Sequence, residues 1–225
     1  MKYFFLIVIS VSTLVSCTNN ETNSKVADPD AVFFDYKIRG EEKDSNVTVY
    51  IQFKEGGPNG TPVVLDDPAK VELDGELISV DSAKLTGPYY EIRKPSLGFQ
   101  GKHIISFTDE DAKKNDEEFV YRTFNLTTKL SDVSRGDLSF DFDGLNDEDY
   151  IRISATDTSF ASKDINEIDT VKNGKLVIPA IKLKNLVNGP VTLLLSKETE
   201  RIIRKRTEWG RIVVSYGIQR EFELK

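Results

Sequence analysis

Cysteine and histidine are almost absent from this sequence, whose 225 residues contain one of each, Cys17 and His103. A single cysteine excludes a disulfide within the chain, and the pair cannot supply the nitrogen and sulfur ligands of a zinc site. A serine or cysteine hydrolase needs a histidine that faces a nucleophile and is oriented by a carboxylate, and no G-x-S-x-G motif is present. We therefore expect a non-enzymatic protein without a cofactor.

Long apolar runs are also scarce, and the longest lies at the start of the chain. Residues 3–15 are apolar or small and follow the single positive charge of Lys2. This run has the length of a signal-peptide core and is shorter than the roughly 20 residues that span a membrane. It ends in Leu14-Val15-Ser16-Cys17, and a polar stretch, TNNETNSK, follows.

Residues 14–17 resemble the lipobox of bacterial lipoproteins. The resemblance implies a signal peptide at 1–16, cleavage before Cys17, and acyl chains such as palmitate on this cysteine. Residues 17–28 would then be a lipidated polar tether. Two or more acyl chains anchor a protein stably, whereas one gives only marginal binding. We therefore expect membrane attachment through lipid on Cys17.

The residue after the cysteine, Thr18, indicates the destination. By the sorting rule of enterobacterial lipoproteins, Asp at this position retains a protein in the inner membrane, so Thr18 favours the outer membrane. The tether has only one acid in its first eight residues, Glu21, and thus lacks the acidic run that resembles a surface-export signal in Bacteroidota. We expect a cell-envelope protein that faces the periplasm, with surface exposure as the alternative.

A formal net charge of -7 excludes one class of partner. Nucleic-acid binding depends on cationic contacts to phosphates, so an acidic body argues against it. An envelope protein or a glycan remains as a partner.

Alternating apolar and polar residues predict an all-β protein. In residues 46–53, Val47, Val49, Ile51 and Phe53 point to one face, with Thr48, Tyr50 and Gln52 on the other. Asp74-Gly75 predicts a hairpin turn, and only residues 181–186 predict a helical turn. About seven short strands precede residue 128 and a second set follows, which is typical of immunoglobulin-like sandwiches.

We therefore expect two tandem immunoglobulin-like β-sandwich domains, at 29–128 and 129–225. The alternative is one continuous sandwich. Residues 174–197 resemble the second domains of uncharacterised Bacteroidota lipoproteins, with Ile178-Pro179 before a short turn and Asn188-Gly189-Pro190 before an apolar strand. The resemblance implies a fold and a compartment but no activity.

A basic cluster near the C-terminus is the candidate binding surface. Arginine forks suit anionic groups, and a tryptophan offers its face to a sugar or a cation. The alternative is a hairpin whose long side chains cover its own strands. The cluster consists of Arg201, Arg204, Lys205, Arg206, Trp209 and Arg211.

A carboxylate cluster is a weak calcium candidate. Residues 139–150 resemble an EF-hand loop around Gly144, but the first and twelfth positions lack the required acids. The simpler interpretation is a strand with a solvated face. The candidate ligands are Asp141, Asp143, Asp147 and Asp149.

These patterns predict a lipid-anchored, non-catalytic accessory or interaction module. The alternative function is a glycan- or polyanion-binding lipoprotein that uses the hairpin carrying Trp209.

Overall fold

The computed structural model describes residues 32–159, 162–205 and 208–225. Strands account for 63% of the chain and helix for 2%, which confirms the all-β class. The predicted signal peptide and tether, Cys17 included, lie outside the described residues, so lipidation stays a prediction. Within the described ranges, no helix has the length and apolar character needed to cross a membrane.

The described residues form seventeen strands, of 2 to 17 residues, and a single turn of helix. The helix, α1 (Ala180–Leu183), overlaps the segment 181–186, where the sequence predicts a helical turn. The strands are β1 (Val32–Glu41), β2 (Asn46–Glu55), β3 (Thr61–Val63), β4 (Lys70–Leu73), β5 (Glu76–Leu77), β6 (Val80–Ala83), β7 (Gly87–Pro95), β8 (Gly101–Thr108), β9 (Lys114–Tyr121), β10 (Asn125–Leu126), β11 (Asp132–Val133), β12 (Leu138–Asp143), β13 (Tyr150–Asp157), β14 (Ile165–Thr170), β15 (Lys175–Ile178), β16 (Gly189–Lys205) and β17 (Glu208–Leu224).

Strands β1 to β9 of the first half contribute to two sheets. Strands β1, β2, β7 and β6 are adjacent in one sheet, and β5, β4, β8 and β9 form the other. The ring of Phe107 on β8 lies 5.1 Å from that of Phe34 on β1 and 5.4 Å from that of Phe53 on β2. Val47 and Ile51 are fully buried beside them, as the alternation in β2 predicts. The core of this half therefore lies between the two sheets.

The second half extends the large sheet and supplies two of the three strands of a small one, to which the first half contributes β10. Strands β10, β12 and β15 form the small sheet, while β14, β13, β16 and β17 continue the large sheet. The ring of Tyr216 on β17 lies 5.4 Å from that of Phe124 and 6.3 Å from that of Tyr121. Buried residues of both halves consequently form one hydrophobic cluster.

One sheet runs through both halves, because β1 lies between β2 and β17. Residues 33–41 of β1 pair in parallel with residues 209–217 of β17. Strands β16 and β17 are 17 residues long each, so one end of their hairpin completes the sheet of the second half and the other end pairs with β1. The division into domains at 29–128 and 129–225 stays a prediction. A shared sheet is the arrangement expected for the alternative, one continuous sandwich.

One local prediction, the turn at Asp74-Gly75, can be compared directly with the structure. Asp74 and Gly75 both have positive φ angles, 50° and 84°, which confirms a turn that favours this dipeptide. Strand β16 is continuous, because its pairing with β17 is uninterrupted from Gly189 to Lys205. Strands β9 and β10 are separate, with Arg122, Thr123 and Phe124 between them.

Candidate functional site: the open face of the large sheet

The outer face of the large sheet carries polar side chains in transverse rows. Arg39, Thr48 and Arg93 are register partners across β1, β2 and β7. The next row joins Lys37 and Tyr50 to Glu91. Directly paired residues point to the same side of a sheet, so alternation in three strands places these side chains together on the face opposite the core.

These rows line a groove of about 990 Å³. Polar side chains of β1, β2 and β7 form its floor, and residues of the segments 58–62 and 83–87 complete its lining. Gln52 helps to fix the second segment, because its Nε2 donates hydrogen bonds to the carbonyl oxygens of Thr86, at 2.8 Å, and Pro88, at 3.2 Å. The groove is open to solvent along the sheet and could admit an extended ligand. We call it the tyrosine groove.

Two stacked tyrosines lie at its centre. The rings of Tyr50 and Tyr89 have centroids 5.1 Å apart and an interplanar angle of 21°. The Nζ atom of Lys37 lies 5.8 Å from the centroid of the Tyr50 ring, within range of a cation–π contact. The Tyr89 hydroxyl donates to Asp81 at 3.2 Å. Burial raises the pKa of both phenols, and the Asp81 carboxylate raises that of Tyr89 further, so both present neutral hydroxyls at pH 7.

Tyr90 points to the opposite face from Tyr89. Its side chain is buried, and its hydroxyl accepts a hydrogen bond from the Leu65 amide at 2.8 Å. The sequence predicts one core and one surface tyrosine in this pair, since neighbouring strand residues face opposite sides. The structure confirms that prediction.

A fully buried carboxylate supports the floor of the groove. Asp35 on β1 is 0% exposed, and three cations surround it: Lys37 and Lys54, each at 3.1 Å, and Arg211 at 2.7 Å. Burial alone would raise the pKa of Asp35, but hydrogen bonds from Arg211, Lys54 and Lys37 outweigh it and lower the pKa to about 2. Asp35 therefore stays ionised and fixes two lysines that line the groove.

Two arginines of the predicted basic cluster are paired with other groups of the protein. Arg211 is bound to Asp35, and Arg201 donates to the Glu117 carboxylate at 2.9 Å and to the Glu118 carbonyl at 2.8 Å. Neighbouring strands thus supply carboxylate and carbonyl acceptors to both arginines, and the binding surface predicted at this cluster stays a prediction. Arg206 and the side chains of Arg204 and Lys205 lie outside the described residues.

Trp209 lies on β17 beside the start of β1. It is 44% exposed, and its ring packs edge-on against that of Phe33 at a centroid distance of 4.9 Å. This contact with β1 agrees in part with the alternative interpretation of the cluster, in which the side chains of the hairpin cover neighbouring strands. The remaining exposed surface lies on the same sheet face as Arg211.

The weak calcium prediction is not supported, because its four carboxylates have other partners or stand apart. Asp141 is paired with Lys175 at 3.2 Å, and Asp149 with Lys197 at 2.5 Å. Asp147 accepts a hydrogen bond from the Gly174 amide, and Asp143 is exposed at the end of β12. Among the described residues, no three acidic, histidine or cysteine side chains are grouped to hold a metal.

His103 is held in place by hydrogen bonds and by stacking against two aromatic rings. Its Nδ1 lies 2.7 Å from an Asp74 carboxylate oxygen and its Nε2 lies 2.7 Å from the Phe99 carbonyl oxygen. The ring stacks on that of Phe99 at 4.0 Å and on that of Phe119 at 5.3 Å. Both ring nitrogens therefore have hydrogen-bond partners. In a catalytic triad a nucleophilic side chain would occupy the position that the Phe99 carbonyl takes beside Nε2.

The sequence analysis missed the tyrosine groove and Asp35. Alternation does place Tyr50 on the polar face of β2, and the same rule applied to β1 would place Lys37 and Arg39 beside it. An aspartate between Phe34 and Tyr36 is also an unusual residue for a covered strand. No sequence signal, however, pairs Asp35 with Arg211, 176 residues further along the chain.

No family model matches this chain, and no curated protein matches it. Among solved structures it is similar to DIP-gamma IG1+IG2, with 10% identity over 83% of this chain and 94% of that chain and a TM-score of 0.24. It is also similar to a tetra-tandem repeat of a large adhesion protein, with 15% identity over 87% of this chain and 50% of that chain and a TM-score of 0.28.

A further similar structure is the Bacteroides ovatus mixed-linkage glucan utilization locus protein SGBP-B, in complex with a mixed-linkage heptasaccharide. It shows 12% identity over 94% of this chain and 69% of that chain, with a TM-score of 0.23. These neighbours are immunoglobulin, adhesion and glycan-binding proteins. At such identities and TM-scores, no ligand or activity passes from them to this chain.

Proposed function

We propose that this chain is a lipid-anchored, non-catalytic binding protein of the cell envelope that receives its ligand in the tyrosine groove. The observation that carries the proposal is the lining of that groove, where stacked Tyr50 and Tyr89 are surrounded by cations. Concave surfaces with a few convergent polar groups are the usual form of a ligand site. The side chain of Arg39 makes no hydrogen bond or ion pair within the described residues, and it is therefore available to a ligand.

The anchor gives this binding function a location. Lipid on Cys17 would attach the body to the outer membrane, facing the periplasm. Residues 18–31 separate Cys17 from β1 and can span at most about 50 Å. A tether of that length confines the protein to a thin layer and raises its effective concentration for envelope ligands.

Replacing Cys17 by Ala is expected to abolish lipidation, because the thiol is the acylated group. Metabolic labelling with a clickable fatty acid should mark the wild-type protein and leave Cys17→Ala unmarked. Ser24→Ala, a change in the tether that keeps the thiol, serves as the matched control and should label like wild type. Equal labelling of the Cys17→Ala protein would contradict the anchor.

The binding surface is tested by photocrosslinking in cells. A photoreactive amino acid at Leu85, which is 99% exposed beside the groove, should give discrete adducts with an envelope component. The control position is Ile181 on α1, which is 66% exposed and is not part of the groove lining. Adducts at neither position, or the same adducts at both, would count against ligand binding in the groove.

A further inference from the structure

We infer that the ligand of the tyrosine groove is an acidic oligosaccharide, whose carboxylate or sulfate groups pair with Arg39 while a sugar ring packs against Tyr89. The inference deepens the proposed function and rests on it. Three features of the groove support it: its charge, the spacing of its arginines and its aromatic pair.

The charge of the groove is opposite to that of the protein. The chain has a net charge of -7, yet the groove is lined by four cations and one carboxylate, Glu91, which accepts from Arg93 Nε at 3.0 Å. Two further carboxylates lie beside the lining: Asp35 is buried against Lys37 and Lys54, and Asp81 accepts from the Tyr89 hydroxyl. A basic lining in an acidic protein attracts anions to this face in preference to the rest of the surface. The four cations are Lys37, Arg39, Lys54 and Arg93.

Two guanidinium groups flank a hydroxyl at the open end of the groove. Arg39 and Arg93 occupy the outer strands of the row centred on Thr48. Strands lie about 4.8 Å apart, so the backbones carrying these arginines are separated by roughly 10 Å. Arg93 shares its Nε with Glu91, whereas the Arg39 fork is uncommitted among the described residues. A planar fork of this kind binds a carboxylate or sulfate in two places at once.

The stacked tyrosines provide the surface for a ring. Tyrosine combines an apolar face with a polar hydroxyl, which matches a pyranose, whose C–H faces are apolar and whose edges carry hydroxyls. Tyr50 already stacks on Tyr89 and lies within cation–π range of Lys37. Tyr89, on the strand further from Lys37, is the ring that a sugar would contact.

The composition of the floor argues against a protein partner in the groove. A stable protein interface has a dry apolar centre from which charged groups are depleted. Here the centre carries Lys37, Glu91 and two phenol hydroxyls. The volume of 990 Å³ lies at the upper end of the range for small-ligand sites, and a short oligosaccharide fits that range.

The test uses tetragalacturonate as the probe, titrated into the full-length protein by calorimetry. Binding should weaken at least tenfold in Arg39→Gln and in Tyr89→Ala, since these remove the anion fork and the stacking ring. Arg152→Gln, which changes an exposed arginine on β13 in the other half of the chain, is the matched control and should bind within twofold of wild type. Unchanged melting temperatures would show that all variants are folded.

Two further probes separate charge from sugar recognition. The methyl ester of tetragalacturonate keeps the rings but loses the charges, and it should bind at least tenfold more weakly. Tetraglutamate keeps the charges without the rings, and equal binding of this peptide would overturn the inference. No binding of tetragalacturonate, or no effect of Arg39→Gln on it, would also overturn it. If Leu85 then still crosslinked to an envelope component, the proposed function would stand and only the ligand class would be wrong.

Discussion

Replacing Asp35 by Asn is expected to lower the free energy of unfolding by about 3 kcal/mol at pH 7. Breaking a buried ion pair from one side typically costs 3–5 kcal/mol, because the remaining charges are left without a partner. We expect the lower end of that range, since Lys37 and Arg211 are 44% and 34% exposed and can turn towards water. Urea denaturation of both proteins measures the difference.

The loss has a second component, because Asp35 separates like charges. Lys37, Lys54 and Arg211 all contact the same carboxylate, and a neutral amide leaves three cations side by side. The floor of the tyrosine groove should therefore loosen together with the junction between β1 and β17. Asp132→Asn is the control, because its pair with Lys225 is largely exposed, and exposed pairs contribute at most about 1 kcal/mol.

The stabilisation by Asp35 should decrease in acid. Its pKa falls from 3.8 to about 2 on folding, so the native state binds fewer protons and stability is lost as the pH falls from about 4 to about 2. One pKa unit corresponds to 1.36 kcal/mol, so the gap between wild type and Asp35→Asn should shrink by roughly 2 kcal/mol over this range. A gap that is constant from pH 7 to pH 2 would show that the carboxylate charge contributes nothing.

Periodicity alone predicts which side chains of β2 face the core. In β2 the alternation correctly assigns Val47, Val49, Ile51 and Phe53 to the core and Tyr50 to the outer face. The turn at Asp74-Gly75 is equally local, because positive φ at two successive residues strongly favours this dipeptide. Both features depend only on neighbours along the chain.

The partner of a strand is not a local property. Alternation with a period of two predicts which side chains of a strand face the core. It does not predict which other strand will pair with it, because many strands show the same alternation. The parallel pairing of β1 with β17 joins Phe33 to Trp209, and neither sequence differs from that of an ordinary edge strand. The groove and the Asp35 network both depend on such non-local neighbours, so the sequence analysis favoured the hairpin cluster, where the cations are adjacent in the chain.

The second large effect is expected at Gly210, where β1 and β17 approach closely. A Cβ atom at this position would lie 2.2 Å from the carbonyl oxygen of Phe34, 2.6 Å from its Cβ and 2.8 Å from its amide nitrogen. Backbone atoms cannot turn aside as a flexible side chain can, so Gly210→Ala must displace one strand from the other. Overpacking of this kind costs typically 1–3 kcal/mol, and we expect about 2–3 kcal/mol here.

Gly217 on the same strand provides the matched control. A Cβ there would meet its nearest atom, in the Leu194 side chain, at 3.8 Å, which is an ordinary contact. Gly217→Ala should therefore change the free energy of unfolding by less than about 1 kcal/mol, in the stabilising direction, because alanine has less backbone freedom to lose.

Trp209 can report on this junction directly. It is the sole tryptophan of the chain and packs against Phe33 next to Gly210, so its fluorescence follows the pairing of β1 with β17. If the shared sheet makes the two halves one cooperative unit, tryptophan fluorescence and far-UV circular dichroism should give a single coincident transition in wild type.

Gly210→Ala should shift the unfolding transitions of both signals to lower urea concentrations. A tryptophan signal that moves alone would instead show that 29–128 and 129–225 unfold independently and that β17 merely docks on β1. No shift in either signal would show that the close approach at Gly210 does not determine how the two halves are joined.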